Sequence, residues 1–300
     1  MKTFAAVDIG SYELSMKIFE FSGKNKMREI DHIRHRIDLG TETYFTGKLS
    51  YEKADELSRV LREFAKIMEA YKVDEYQAYG TSAVREMENS VIVLDRLAQR
   101  TGIRIDVLSN SEQRFLDYKS IASKGEEFDK LLEKGTVILD IGGGSIQISL
   151  FDKGSLTATQ NLRLGALWLR ERLGRINAKP SQLEELLVEI SDAQLAVLKK
   201  FYFKDKEIKN IILVDDYLSG LLGAKAKQAQ EARYASAEEY QKLMEFLRKR
   251  SAGEIAVKLG ISEENASLMF IAAVLLNQVM TMTGAELVWA PGVTLCDGIA

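Results

Sequence analysis

The sequence predicts an α/β protein in which one strand-rich unit occurs twice. Alternating hydrophobic runs of strand length interleave with segments of helix length, which argues for layered strands and helices. A strand ending in Asp-Ile-Gly, followed by a turn and a second strand, stands at Ala5–Ser11 and returns within Val137–Leu150. Each copy opens a run of three strands, at about 3–37 and 136–162, so an internal duplication is expected.

Taken in order, residues 3–9, 13–20 and 28–37 alternate as strands, with Ser22-Gly23-Lys24-Asn25 turning between the last two. The polar segment Asp38 to Ser50 reads as a loop, and Ser50 caps a helix running to about Ala70. Tyr76 to Gly80 is a strand, Thr81 to Arg85 a turn into a helix over 86–101, and Ile103 to Leu108 a short strand. Ser109 or Ser111 caps a helix to about Ser123. The polar break after Lys124 divides a first domain, 1–124, from a second, 125–300; whether the last residues pack back on the first is left open. Gly154 turns the second strand run. Helices follow at about 166–173, 181–202, 217–229, 236–259 and 262–283, with strands at Ile211–Val214 and Leu287–Trp289.

The bulk numbers narrow the function classes. A chain of 300 residues with 46% hydrophobic and 28% charged residues can bury one large core or two ordinary ones. A net charge of −3 gives no bulk attraction to nucleic acid or an anionic membrane, so an anionic ligand needs a local basic patch. The single cysteine, Cys296, excludes internal disulfides and Cys-based zinc clusters and fits a reducing compartment. The N-terminus does not read as a signal peptide, because Asp8 interrupts its apolar run. Ala266 to Met282 contains Asn277 and Gln278 and reads as a buried helix rather than a membrane span. A cytoplasmic protein is expected.

The chemistry concentrates in the two turns. Gly142-Gly143-Gly144 exceeds what a hairpin needs. Glycine permits positive φ and leaves backbone N–H groups uncovered, so the turn can approach a phosphate. Asp140, at the strand end, is placed to hold a metal or its water, and Asp8 recurs in the same pattern. His32 and His35 are offset by three along a strand and read as a solvated edge. Arg163, Arg170, Arg172 and Arg175 read as a solvated helix face, with guidance of a polyanion as the sharper alternative, and Trp168 and Leu169 as core.

The duplicated turns resemble the fold shared by actin, sugar kinases and heat-shock chaperones. Within it the chain resembles the exopolyphosphatase / guanosine pentaphosphate phosphohydrolase (Ppx/GppA) family, in its short two-domain form. The matching stretches are Asp8-Ile9-Gly10-Ser11, Leu39-Gly40 with Thr46 to Ser50, Gly80 to Glu86 with Asn89, Ser109 to Gln113, Leu139 to Ser145 with Leu164-Gly165-Ala166, and Leu295 to Ile299. The resemblance implies two actin-like (ribonuclease H-like) α/β domains flanking an interdomain cleft. It implies phosphate contacts from Ser11, Arg85, Gly142, Gly143, Gly144 and Ser145, and a divalent cation, Mg²⁺, at Asp8 and Asp140, with position 147 as a further metal-organising site. Glu112 falls at or next to the catalytic carboxylate, where it would orient a water for attack on the terminal phosphorus, with Asp140 supporting catalysis. Polyphosphate or a phosphorylated guanine nucleotide is the implied ligand, and a homodimer is implied by resemblance alone.

Four departures from that pattern stand in the motifs. Tyr12 and Glu13 replace the usual Asn-Ser after the first turn; Ile146 and Gln147 replace Thr-Glu after the second. The usual Glu-Glu pair is Glu112-Gln113, and Asp215-Asp216-Tyr217-Leu218-Ser219-Gly220 replaces a glycine- and threonine-rich turn, with two acids expected to repel phosphate. The leading expectation is therefore a phosphohydrolase releasing terminal phosphate from polyphosphate or guanosine penta- or tetraphosphate. Its rivals are a catalytically impaired relative that binds a phosphorylated ligand as a sensor or regulator and, more weakly, an ATP-dependent kinase of the same superfamily.

Overall fold

A computed structural model describes residues 2–23, 27–175, 182–222 and 233–300. The chain forms two compact units, Met1–Ile121 together with Thr294–Ala300, and Ala122–Val293.

The first unit runs β1 (Lys2–Ile9), β2 (Glu13–Phe21), β3 (Met27–Arg36), α1 (Gly40–Thr46), α2 (Tyr51–Ala70), β4 (Glu75–Gly80), α3 (Ser82–Arg85), α4 (Ser90–Thr101), β5 (Asp106–Val107) and α5 (Asn110–Ala122). The strand order is β3-β2-β1-β4-β5. β1, β2 and β3 are antiparallel neighbours, while β4 lies parallel to β1 and β5 parallel to β4. Ser50 Oγ accepts the Lys53 N–H and starts α2, which buries Ala54, Leu57, Leu61, Phe64 and Met68 along one stripe.

Three expectations change here. The segment read as a loop contains α1, because the Asp38 carboxylate accepts from Thr41 N–H at 2.9 Å and Thr41 Oγ1 at 2.7 Å, and Thr43 and Tyr44 are buried. Gly47, at φ 73°, ends that helix. The helix expected over 86–101 starts only at Ser90. Asn89 turns aside to exchange two hydrogen bonds with the Leu49 backbone, leaving α3 as a single turn. Of the strand expected over 103–108, only Asp106 and Val107 pair.

The second unit runs α6 (Glu126–Leu132), β6 (Gly135–Ile141), β7 (Ile146–Asp152), β8 (Ser155–Leu162), α7 (Ala166–Arg175), α8 (Leu183–Leu198), β9 (Ile208–Asp215), β10 (Arg233–Ser236), α9 (Ala237–Arg248), α10 (Ala252–Leu259), α11 (Glu263–Thr283) and β11 (Leu287–Ala290). Its strand order is β10-β11-β9-β6-β7-β8, with β6, β7 and β8 antiparallel and β9 parallel to both β6 and β11. The antiparallel triplet followed by parallel strands is therefore present in both units. The long apolar segment is α11, whose residues from Ala266 to Met280 are mostly buried. The helix expected over 236–259 is two helices, because Ser251 and Glu254 form a capping box that starts α10 afresh. Over 217–222 the backbone makes a short 3₁₀ turn, Ser219–Leu221, rather than an α-helix; residues 223–229 lie outside the described residues, as do Lys24 and Asn25.

The chain ends in α12 (Leu295–Ile299), which packs on β1 and β2. Leu295, Cys296 and Ile299 share a core with Ala6, Phe19 and Leu108. The buried Lys17 ammonium meets both Asp297 oxygens at 2.9 Å and Glu29 at 2.9 Å. Gly298 lies so close to the Leu116 carbonyl that a Cβ there would meet it at 2.0 Å.

Candidate functional site

The two Asp-Ile-Gly turns have the same hydrogen-bond frame. In the first, Gly10 N–H donates to Glu13 O at 3.0 Å; in the second, Gly142 N–H donates to Ser145 O at 3.0 Å. Asp8 pairs with Ser15 across the first hairpin, and Asp140 with Gln147 across the second. Each Asp-bearing strand also has a parallel neighbour, Ile9 beside Gly80 and Ile141 beside Asp215. Both turns thus lie at the carboxyl ends of parallel strands, where open α/β sheets bind ligands. None of Gly10, Gly142, Gly143 or Gly144 has positive φ, so conformational freedom is not why glycine stands there. Close approach explains Gly10 and, beneath the second turn, Gly165: a Cβ on Gly10 would meet Glu13 O at 2.6 Å, and one on Gly165 would meet Gly143 O and Gly144 C at 2.3 Å.

In the first unit, Ser11 lies in a ring of three buried hydroxyls. Its Oγ bonds Tyr44 Oη and, at 2.9 Å, Ser82 Oγ; Tyr44 Oη bonds Ser82 Oγ at 2.9 Å. Burial pushes the Tyr44 phenol up to about 12, so it stays protonated. Ser11 O accepts the N–H groups of Leu39 and Gly40, and Thr81 N–H donates to Ile9 O, so two loops are stapled to one turn. Arg85 reaches the Leu108 carbonyl and Gln113 Oε1, the latter at 3.4 and 3.5 Å. The site-facing member of the Glu112-Gln113 pair is therefore the amide. Glu112 is exposed and forms a capping box: it accepts Ser109 N–H at 2.8 Å while Ser109 Oγ accepts Glu112 N–H. Those bonds from Ser109 hold its carboxyl below the usual range. The charge of Glu13 beside the first turn is paired with Arg34, and Tyr12 is buried.

In the second unit the glycine turn rests on the start of α7. Ala166 N–H donates to Gly142 O and Trp168 N–H to Gly143 O, both at 3.0 Å. Gly143 and Gly144 are buried, and among the described residues the N–H groups of Gly143, Gly144 and Ser145 donate to no protein acceptor. Buried N–H groups nearly always have a partner, so this row of donors is shaped for an anion. Beside it, Gln147 Nε2 donates to Asp140 Oδ2 at 3.3 Å, and Gln147 Oε1 is buried without a protein partner among the described residues. Asp215 does not face a ligand as expected. Its carboxylate accepts the N–H groups of Tyr217, Leu218 and Ser219 and the Ser219 hydroxyl, and burial raises its pKa.

The structure thus brings Ser11 and Arg85 together with Tyr44, Ser82 and Gln113 in one unit, and Gly142, Gly143, Gly144, Ser145, Asp140 and Gln147 in the other. Tyr44 and Ser82 were missed; only the hydroxyl-rich run Thr81-Ser82 could have signalled them. His32 is not a solvated edge residue. Although β3 is an edge strand, its Nε2 bonds Ser15 Oγ at 2.8 Å, and burial with the nearby Lys17 and Arg34 lowers its pKa. Trp168 is half-buried rather than core. Among the described residues no group of three or more His, Cys, Asp or Glu side chains gathers to hold a metal. Within the second unit, the Asp140 carboxylate and the orphaned Gln147 oxygen are hard donors that fit Mg²⁺ arriving with phosphate and keeping several waters.

Comparison with known proteins agrees with this geometry. The chain is 26% identical to exopolyphosphatase 1 of Mycobacterium leprae, over 94% of this chain and 84% of that protein. It is 25% identical to the guanosine-5′-triphosphate,3′-diphosphate pyrophosphatase of Photobacterium profundum, over 56% of this chain but only 33% of that protein's length. Among solved structures, an exopolyphosphatase from Cytophaga hutchinsonii superposes with a TM-score of 0.86 at 18% identity, covering 99% of this chain and 96% of that one. The Ppx/GppA phosphatase family profile matches residues 18–299. With the match spanning nearly the whole chain, the chain belongs to the Ppx/GppA phosphatase family.

Proposed function

We propose that the chain is a phosphoric anhydride hydrolase that releases the terminal phosphate of inorganic polyphosphate or of guanosine penta- or tetraphosphate. The observation that carries this reading is the row of uncommitted N–H groups on Gly143, Gly144 and Ser145, at the carboxyl end of a parallel strand. Membership of the family and the exopolyphosphatase and pyrophosphatase names of its relatives support it.

Arg85 offers a guanidinium to phosphate oxygens, and the Ser11 hydroxyl a further contact. Glu112 is held ionised in the Ser109 cap at its own helix start, and to accept the proton of the attacking water it has to leave that cap. In the second unit Asp140 would hold Mg²⁺, with Gln147 Oε1 as a neutral donor, and Asp8 offers a carboxylate of the same pattern in the first unit. When bound, the ion supplies charge neutralisation along the phosphate chain. The chain's residues otherwise bind and orient the substrate, which is most of what phosphoryl transfer demands of a protein.

The test is phosphate release from long-chain polyphosphate and from guanosine pentaphosphate with Mg²⁺, native chain against Glu112→Gln. Release by the native chain and its loss in the variant are expected. No release from either substrate, alongside ligand-dependent thermal stabilisation, would sink the hydrolase reading.

A further inference from the structure

By its place after Asp-Ile-Gly, Ser11 corresponds to Gly143 in the second turn. Both present a backbone N–H that donates to no protein acceptor among the described residues. The second turn has this form with no side chain at that position, so the Ser11 hydroxyl is explained by what it touches. It touches Tyr44 Oη and Ser82 Oγ, which also touch each other, and all three residues are buried. Three hydroxyls carry three protons. With each donating once around the ring, the three contacts take up every O–H, and the ring is closed.

A phosphate oxygen carries charge and is a stronger acceptor than a neutral hydroxyl. Where one meets Ser11, the ring opens at a single contact into a line. Ser82 then donates to Tyr44, Tyr44 donates to Ser11, and Ser11 donates outward. Every hydroxyl still donates once, so no buried donor is orphaned. Hydrogen bonds in line polarise one another, which strengthens the last donor. The ring also fixes the segment that carries Arg85. α3 is a single turn, Ser82–Arg85, and its N-cap Thr81 makes no side-chain bond to the helix. Ser82, its first residue, is tied to Tyr44 and Ser11 instead. Tyr44 therefore stands behind both the Ser11 hydroxyl and the Arg85 turn.

We propose that Tyr44 is a positioning residue of the first turn: it holds the Ser11 hydroxyl and, through Ser82, the Arg85 turn in place for a phosphate oxygen, and donates its hydrogen bond to Ser11 when that oxygen binds. The inference rests on the phosphate-binding part of the hydrolase reading and not on turnover, so the two can fail separately.

The experiment titrates inorganic tripolyphosphate calorimetrically into the full chain with Mg²⁺ withheld, which reads binding without turnover. Tyr44→Phe keeps the aromatic ring and removes only the hydroxyl, while Ser11 and Ser82 stay bonded to each other at 2.9 Å, so the variant should fold. It should bind tripolyphosphate about fivefold more weakly, the worth of one hydrogen bond. In phosphate release the loss should appear in KM, with kcat changed less. A merely structural Tyr44 would lower the melting temperature and leave the affinity alone. In a Ser11→Ala/Ser82→Ala background, Tyr44→Phe should move the affinity by less than about twofold, because the hydroxyls it acts through are gone. The proposal is overturned if the native chain binds no tripolyphosphate, if Tyr44→Phe binds it as tightly as the native chain or more tightly, or if Tyr44→Phe weakens binding equally in both backgrounds. Tripolyphosphate binding that depends on Tyr44, with no phosphate release from any substrate, supports the proposal and sinks the hydrolase reading alone.

Discussion

Replacing Gln147 by Glu tests the second turn most sharply. The native amide donates to Asp140 Oδ2 at 3.3 Å and the side chain is 3% exposed. A carboxylate there would face a second carboxylate at that distance, a repulsion of about 5 kcal/mol at an effective dielectric constant of 20. Protonation limits the cost. Holding a carboxyl of ordinary pKa, about 4.3, protonated at pH 7 costs about 4 kcal/mol. The sign follows: the folded-state pKa of the new acid is raised, so the penalty is absent below about pH 4.3 and grows as pH rises toward 7. At about 2–4 °C per kcal/mol for a unit of this size, the melting temperature at pH 7 should fall by about 10 °C without divalent cations. Millimolar Mg²⁺ should restore it, because a cation between two carboxylates converts repulsion into coordination. Calorimetry at pH 5 and pH 7, with and without Mg²⁺, reads both effects, and phosphate release should rise over the native chain. A variant that melts with the native chain at pH 7 and ignores Mg²⁺ would refute the claim that residues 140 and 147 share one ion-accessible site.

Gly165→Ala would drive a Cβ to 2.3 Å from the Gly143 and Gly144 backbone. Overpacking of that kind costs about 1–3 kcal/mol, and phosphate release should fall more steeply than stability because the anion-facing N–H row must move. Arg85→Lys keeps the charge but loses the fork; it should raise the KM for phosphate release by about tenfold, with the melting temperature nearly unchanged. Ser109→Ala removes one half of the Glu112 capping box and should cost about 1 kcal/mol of stability in denaturant titrations. His32 has a lowered folded-state pKa, so the unfolded chain binds the proton more readily and stability is lost as pH falls below about 6.5. Melting curves between pH 8 and 5.5 should show that loss in the native chain and a flatter profile in His32→Gln.

Much of this molecule is legible in order along the chain. Period-two alternation gives the antiparallel triplets, the caps at Ser50 and Ser109 give the starts of α2 and α5, and two Asp-Ile-Gly turns announce the duplication. These are local signals, set by side-chain alternation and by capping within three residues. The shared hydrogen-bond frame of the turns follows from them as well.

Other features required the fold. α1 is invisible to hydrophobic periodicity because an Asp38 cap and tertiary burial of Tyr44 create it. Tyr44, Ser11 and Ser82 come from three separate segments, and nothing in their spacing predicts that their hydroxyls meet. Which member of the Glu112-Gln113 pair faces Arg85 depends on the rotation of α5, and the Ser109 cap sends Glu112 to its own helix start. Conformational freedom, the reason the sequence suggests for the glycines, does not apply: their φ values are ordinary, and it is Gly165 whose lack of a side chain lets the turn backbone pack close. Sequence alone determined the fold class, the repeat and the residue types of the site, because those are properties of neighbours along the chain. Tertiary structure decided which of those residues meet, which charges are already paired and which donors lack a partner, because those depend on contacts between segments far apart in sequence.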